Sequence, residues 1–271
     1  MTQLQKFIKY LAIAFGFFLI AAMAAAVLGV AGIFAGVSFW QDSLDPEMNA
    51  AETVAGPFSG DIMCLEMEIG AADIQILPGD DLRVHTDNPY IVIKEKNGRL
   101  VIQEKSHVGS LDSSILTVYV PEETVFEDVD IAAGAGKLTI KTLSCRELNL
   151  ELGAGMAEIH YLQADKSADI EGGAGQIVIH DGTFHNLNFD MGVGKAEIFA
   201  ALSGNCEISA GIGNLVLTIP ARVEDYTILA ESGIGRIEVD GMRITGNGAL
   251  GSGENRIELE GGIGNIDVYF G

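Results

Sequence analysis

From about residue 129 onward the chain alternates apolar and polar residues in short runs broken by glycine. Leu148, Leu150 and Leu152 alternate with Glu147, Asn149 and Glu151; after a Gly-Ala-Gly step, Ala157 and Ile159 alternate with Met156, Glu158 and His160. Period-two alternation marks strands with one buried face. The pattern returns as Leu187, Phe189 and Met191 before Gly192, with Ala196 and Ile198 after Gly194. It returns again as Cys206, Ile208 and Ala210, followed by Leu215 and Leu217. Each unit therefore predicts two strands of about six residues joined by turns.

The breaks are themselves a repeat. Gly-x-Gly pairs stand at Gly134 and Gly136, Gly153 and Gly155, Gly173 and Gly175, Gly192 and Gly194, Gly211 and Gly213, Gly233 and Gly235, and Gly262 and Gly264. Their first members are 19, 20, 19, 19, 22 and 29 residues apart. A fixed period of about twenty residues signals units that bury their apolar faces against one another. The expected architecture is all-β, a single-stranded β-solenoid, with hairpin stacks or a β-prism as the alternative. The glycines are expected as structural turns, two columns along one corner, supplying positive φ or close backbone approach. The residues between them, Ala135, Ala154, Ala174, Val193, Ile212, Ile234 and Ile263, carry the inward parity of the preceding strand. A phosphate-binding loop is a poor rival for Gly134-Ala135-Gly136-Lys137, because strand pattern rather than helix pattern follows each pair.

Residues 57–128 are rich in strand signals but less regular, and are expected to cap the repeat domain of residues 129–271. Leu65, Met67 and Ile69 lead into Gly70-Ala71-Ala72, a degenerate first rung. Asn97-Gly98 lies between two apolar runs and predicts a tight hairpin. At the other end, residues 265–270, opening at Asn265 and ending at Phe270, are expected to form an uncovered edge strand able to pair with a partner or a second copy.

Residues 10–40, opening on Tyr10 and closing on Trp40, carry no charge over 31 positions. About 20 apolar residues suffice to cross a bilayer, so the expectation is a single transmembrane helix. Lys6 and Lys9 in the stub of residues 1–9 place the N-terminus in the cytoplasm, with the linker of residues 41–56 and all that follows outside. A cleaved signal peptide, with sites such as Ala22-Met23-Ala24, is the rival; the run is too long for an ordinary one. Gly32 and Gly36 make one GxxxG step, a weak pairing signal. With Lys6 and Lys9 set aside, 14 basic residues face 38 acidic ones, a net charge of −24. That balance excludes nucleic acid as a partner and argues against direct adsorption to anionic lipid. The three cysteines, Cys64, Cys145 and Cys206, are too few for a disulfide framework, and Cys206 reads as a small core residue.

In-register stacking would place outward carboxylates in columns. Glu151, Asp169, Glu171 and Asp190 are the candidate metal ligands, a weak Ca²⁺ site in which neighbouring Asn carbonyls could share; the bland reading is a solvated acidic face. No other cofactor is expected. His160 and His180 take equivalent outward positions on successive units, between Lys141 and Phe199, and could share a metal or a pH response. Two ligands lacking a third read more simply as a surface pair. His85, His107 and His185 fall in turns or irregular stretches with no partner visible in the sequence. No nucleophile elbow or zinc pattern is present, and no carboxylate pair is singled out, so no catalytic residue is assigned.

The layout resembles the bacterial putative-adhesin family over residues 57–271. The likeness rests on Val118-Tyr119-Val120-Pro121, then Ile131, Gly134 and Gly136, then repeats of the Gly-x-Gly-x-Ile/Leu-x-Ile type. The resemblance implies a membrane-anchored β-strand-repeat ectodomain without catalytic residues. The expected function is a non-catalytic adhesion or binding scaffold at the cell envelope, with protein or envelope partners and self-association open. An accessory or sensor of envelope-stress signalling is the alternative, and an enzyme acting on polysaccharide is a third.

Overall fold

The computed structural model describes residues 53–58, 62–105, 114–244 and 247–271. The expected membrane segment of residues 10–40 lies outside them, and among the described residues no helix is long and apolar enough to cross a bilayer. The strands, in chain order, are β1 (Thr53–Ala55), β2 (Cys64–Ala71), β3 (Asp73–Pro78), β4 (Arg83–Thr86), β5 (Ile91–Lys96), β6 (Arg99–Glu104), β7 (Ile115–Val120), β8 (Val125–Ile140) and β9 (Leu143–Ile159). There follow β10 (Leu162–Ile179), β11 (Gly182–His185), β12 (Leu187–Phe199), β13 (Ala201–Ser203), β14 (Asn205–Ile219), β15 (Tyr226–Val239), β16 (Met242–Ile244), β17 (Asn247–Gly251) and β18 (Asn255–Phe270).

Rungs stack in parallel and in register. β8 pairs with β9, β9 with β10 and β10 with β12, and Gly136, Gly155, Gly175 and Gly194 fall opposite one another. The column continues through Gly213, Gly264 and Gly235 as β12 pairs with β14, β14 with β18 and β18 with β15. β9 pairs with β10 over 143–145, 147–152 and 154–159, with a register shift on β10 between Ala164 and Ser167. Alternate side chains of these segments, among them Leu148, Leu150, Ala157 and Ile159, enter one hydrophobic core. One column in that core runs Phe126, Cys145, Ala164, Phe184 through paired positions, all buried.

The glycines were expected as turns separating strands, and this needs correction: every pair lies inside a continuous strand. Gly134 and Gly136 belong to β8, Gly153 and Gly155 to β9, Gly173 and Gly175 to β10, and Gly192 and Gly194 to β12. Gly211 and Gly213 belong to β14, Gly233 and Gly235 to β15, and Gly262 and Gly264 to β18. Stacked rungs bend at the same place, so the hydrogen-bonded ladder carries on through the corner. The steric need for glycine is as expected, by two distinct mechanisms. At Gly153 a Cβ would run into the carbonyl oxygen of Gly134 on the rung below. At Gly155 a Cβ would strike the Gly136 carbonyl, and φ is +148°, a region that side chains avoid. Gly213, Gly235 and Gly264 repeat the second case, with φ of 142°, 157° and 141°.

Two further expectations need correction. First, the residues between the glycines point outward. Ala135, Ala154 and Ala174 are exposed, and so are Val193, Ile212, Ile234 and Ile263. The corner as a whole, residues 153–156, is exposed and reverses the parity: Leu152 is the last inward residue before it and Ala157 the first after it, an odd step. Secondly, residues 265–270 are not an edge. β18 lies between β14 and β15, with Asn265 opposite Asn214 on one side and Arg236 on the other. The chain makes β15, loops out through β16 and β17, and returns to fill the gap, so the last two rungs depart from simple winding in sequence order. β16 and β17 pair antiparallel with β15 and cover its outer side, which removes a strand edge that would otherwise invite pairing.

The stack begins with the degenerate first rung expected before residue 129. β2 and β3 lie on β8 with Ala71 opposite Ala135, so Gly70-Ala71-Ala72 occupies the corner of a first rung. β6 and β7 pair in parallel with β2 and β3, and β5 and β4 then pair antiparallel with β6 and β7 to finish that end. The β5–β6 hairpin turns at Asn97 and Gly98, both at positive φ (53° and 73°), the geometry of the tight hairpin turn expected there. Asn88 is buried at the open end of that hairpin, with its amide engaged at both ends. Its Nδ2 donates to Glu104 Oε1 at 2.9 Å, and its Oδ1 accepts from the Tyr90 N–H at 2.9 Å.

Candidate functional site

Stacking in register converts each outward sequence position into a column of side chains about 4.8 Å apart. Glu151, Glu171 and Asp190 form one such column, each opposite the next. Asp169 stands in the adjacent column, two residues earlier, where acid and amide alternate: Asp130, Asn149, Asp169, Asn188. Asn149 Nδ2 donates to Asp130 Oδ1 and Asn188 Nδ2 to Asp169 Oδ1, both at 3.1 Å. The asparagines thus answer their neighbours' charge as donors.

Among the described residues, donor atoms of metal-binding side chains converge elsewhere, at Glu158, His160 and His180. His160 and His180 are the outward pair expected on successive rungs, their rings 5.0 Å apart. Glu158 is the third member that sequence reasoning missed. It lies on the same strand as His160, two residues earlier, and therefore on the same face. Lys137 Nζ donates to Glu158 Oε2 at 2.8 Å. That bond, with the ammonium's charge, holds the Glu158 carboxyl below the usual carboxylate range. Lys141 Nζ sits 2.8 Å from His160 Nε2. His85 lies edge-on against Tyr119 at 5.5 Å, and His185 Nδ1 meets Ser203 Oγ at 3.0 Å, so both have partners that the sequence hid. His107 lies outside the described residues.

The third feature is apolar. The outward residues of the corner form a ladder in the spatial order Ala135, Ala154, Ala174, Val193, Ile212, Ile263, Ile234. The last four are 51%, 49%, 51% and 72% exposed. Beside the ladder, two positions before each first glycine, runs the acidic column with Glu151, Glu171, Asp190, Glu260 and Glu231. On its other side, one position after each second glycine, stand Lys137, Met156, Gln176, Lys195, Asn214, Asn265 and Arg236. An apolar crest between an acidic and a partly basic flank is the kind of patch that marks a contact surface.

Of the cysteines, Cys145 and Cys206 are buried and Cys64 is half-buried, and none of the three is disulfide-bonded. Burial pushes the Cys145 thiol up to about 12, and burial also raises Cys206. Both are packing residues, protonated at neutral pH.

The fold and surface define a β-repeat protein whose distinctive chemistry lies on its outer columns. The chain belongs to the Toastrack DUF4097 family, whose sequence profile matches residues 62–261. Among curated proteins none matches it. Among solved structures it is similar to a putative cell adhesion protein from Clostridium sporogenes ATCC 15579, at 18% identity over 82% of this chain and 99% of that one, TM-score 0.35. It is similar also to a putative adhesin from Bacteroides fragilis NCTC 9343, at 11% identity over 83% of this chain and 100% of that one, TM-score 0.33. A putative lipid binding protein from Parabacteroides distasonis ATCC 8503 shares 17% identity over 80% of this chain and 96% of that one, TM-score 0.29.

Proposed function

We propose that this protein is a non-catalytic binding scaffold held at the outer side of a cell membrane, and that it meets its partner along the Gly-x-Gly corner. The observation that carries this reading is the exposed ladder Val193, Ile212, Ile263 and Ile234. The repeat places the glycines where backbones must touch, and that need alone would be met with alanine at every intervening position. Rungs near β8 do carry alanine there, whereas the four at the β15 end carry valine and isoleucine. These side chains touch one another along the ladder yet leave 49–72% of their surface in water; that exposed apolar area gains on contact with a partner. The flanking columns set polarity for such a contact, with basic groups of the partner toward Glu171 and Asp190 and acidic groups toward Lys195. The uncharged run of residues 10–40 and the two lysines before it support the anchored orientation.

The reading is tested by binding of the purified full chain to envelope fractions from cells that lack it. The substitutions Ile212→Ser and Ile234→Ser together should lower binding at least tenfold while leaving the thermal midpoint within a few degrees. Equal binding by variant and parent would remove the ladder from the account.

A further inference from the structure

We infer that Glu158, His160 and His180 form a site for a borderline transition metal ion, Zn²⁺ being the best match. The three side chains come from two adjacent rungs whose register is fixed by Ile159 opposite Ile179. Glu158 Oε1 lies 3.7 Å from His160 Nε2 and 3.9 Å from His180 Nε2. Ligand atoms on a tetrahedral Zn²⁺, at bond lengths of about 2.0–2.1 Å, stand about 3.3 Å apart. Closing that difference asks only small rotations of three surface side chains, with no change in backbone. Two imidazoles and one carboxylate are the donor set of Zn²⁺, Ni²⁺ or Cu²⁺; Ca²⁺ and Mg²⁺ call for oxygen donors throughout.

The surroundings are organised for this as well. Lys137 holds Glu158 through Oε2 and leaves Oε1 as the oxygen nearest both rings. Fixing a ligand through its far atom is the usual work of a residue behind a metal site. Lys141 acts in the opposite sense, because its Nζ occupies the lone-pair side of His160 Nε2. A metal must displace it, and the exposed lysine side chain can swing into solvent. Lys137, Lys141, Glu158 and the two histidines meet here; Asp181 follows His180 in sequence, and the Lys195–Glu197 ion pair stands on the next rung, Glu197 opposite Val178. On the far side Val178 follows Glu158, and Ile198 stands opposite Ile179 with Phe199 next after it, so neither Val178 nor Phe199 supplies a fourth ligand. The remaining coordination position faces water, and a side chain from a partner can fill it. This site does not depend on the apolar ladder.

The test is calorimetric titration of the full chain with ZnCl₂, with Co²⁺ absorption as a second readout of coordination. One saturable ion per chain is expected, with tetrahedral Co²⁺ bands. Glu158→Gln should weaken binding about tenfold and His180→Ala should remove it. Lys141→Met should tighten it severalfold, which a general attraction of cations to an acidic protein would not produce. Melting curves confirm that each variant is folded. Zn²⁺ uptake unchanged in both His160→Ala and His180→Ala, or no saturable uptake by the parent, would overturn the assignment.

Discussion

At the scale of single residues, glycines at positive φ differ in what they tolerate. Gly155→Ala should cost about 3 kcal/mol or more, since it adds a clash with the Gly136 carbonyl to a backbone at φ +148°. Gly241 also has positive φ, at +75°, but nothing lies within 4 Å of where its Cβ would sit, so Gly241→Ala should cost only about 1 kcal/mol. Denaturant titration of the two variants checks the contrast. The Cys145 thiol has its own signature. Its pKa rises from 9.0 to about 12 through burial, so the folded state keeps its proton where the unfolded state loses it. The stability this contributes is complete below pH 9.0 and falls as pH rises toward 12, by up to about 1.4 kcal/mol per pH unit. Melts at pH 8 and pH 10.5 should differ less in Cys145→Ala than in the parent. Cys206 and Tyr226, whose pKa values also rise with burial, leave part of the alkaline loss in place.

At the scale of elements, the order of rungs is the feature most open to a direct check. Ile212 stands opposite Ile263, and Ile263 opposite Ile234, so β18 separates β14 from β15. Neighbouring strands lie about 4.8 Å apart, within the span of a disulfide. Ile212→Cys with Ile263→Cys should therefore crosslink on mild oxidation, and Ile212→Cys with Ile234→Cys should not. The opposite result would restore winding in sequence order. Much of this level was legible in the residues. The Gly-x-Gly period marked the rungs, Asn97-Gly98 a hairpin, and Gly70-Ala71-Ala72 a degenerate corner. The parity reversal was legible too, since Leu152 and Ala157 are an odd number apart, but a strict two-residue count carried through the glycines concealed it. The same count made strand ends of Gly213, Gly235 and Gly264, because a run of glycine looks like a break until neighbouring rungs are seen to bend with it. The 29-residue gap before Gly262 held the detour through β16 and β17. A spacing cannot say where the returning strand is inserted, because that depends on which neighbour has a free edge.

At the scale of the whole molecule, regular stacking turns a one-dimensional repeat into continuous surface columns, and those columns are where function is to be sought. Carboxylates are abundant in the sequence and so drew attention to Glu151, Asp169, Glu171 and Asp190. It took the register to show Asn149 and Asn188 donating to Asp130 and Asp169, and to bring Glu158 of one rung to His180 of the next. The apolar ladder was hidden for a different reason: isoleucine at a corner looks like core until the corner's geometry is known. Everything proposed for function turns on whether this ladder faces outward at the cell surface and is covered there by a partner. In a Cys64→Ser background, cysteines placed at Ile212 and at exposed Glu123 can be labelled with a membrane-impermeant maleimide on intact cells and on purified protein. Glu123→Cys should label equally fast in both settings, while Ile212→Cys should label fast when purified and at least severalfold more slowly on cells. Equal rates at Ile212→Cys, or no labelling of Glu123→Cys on intact cells, would contradict the proposal.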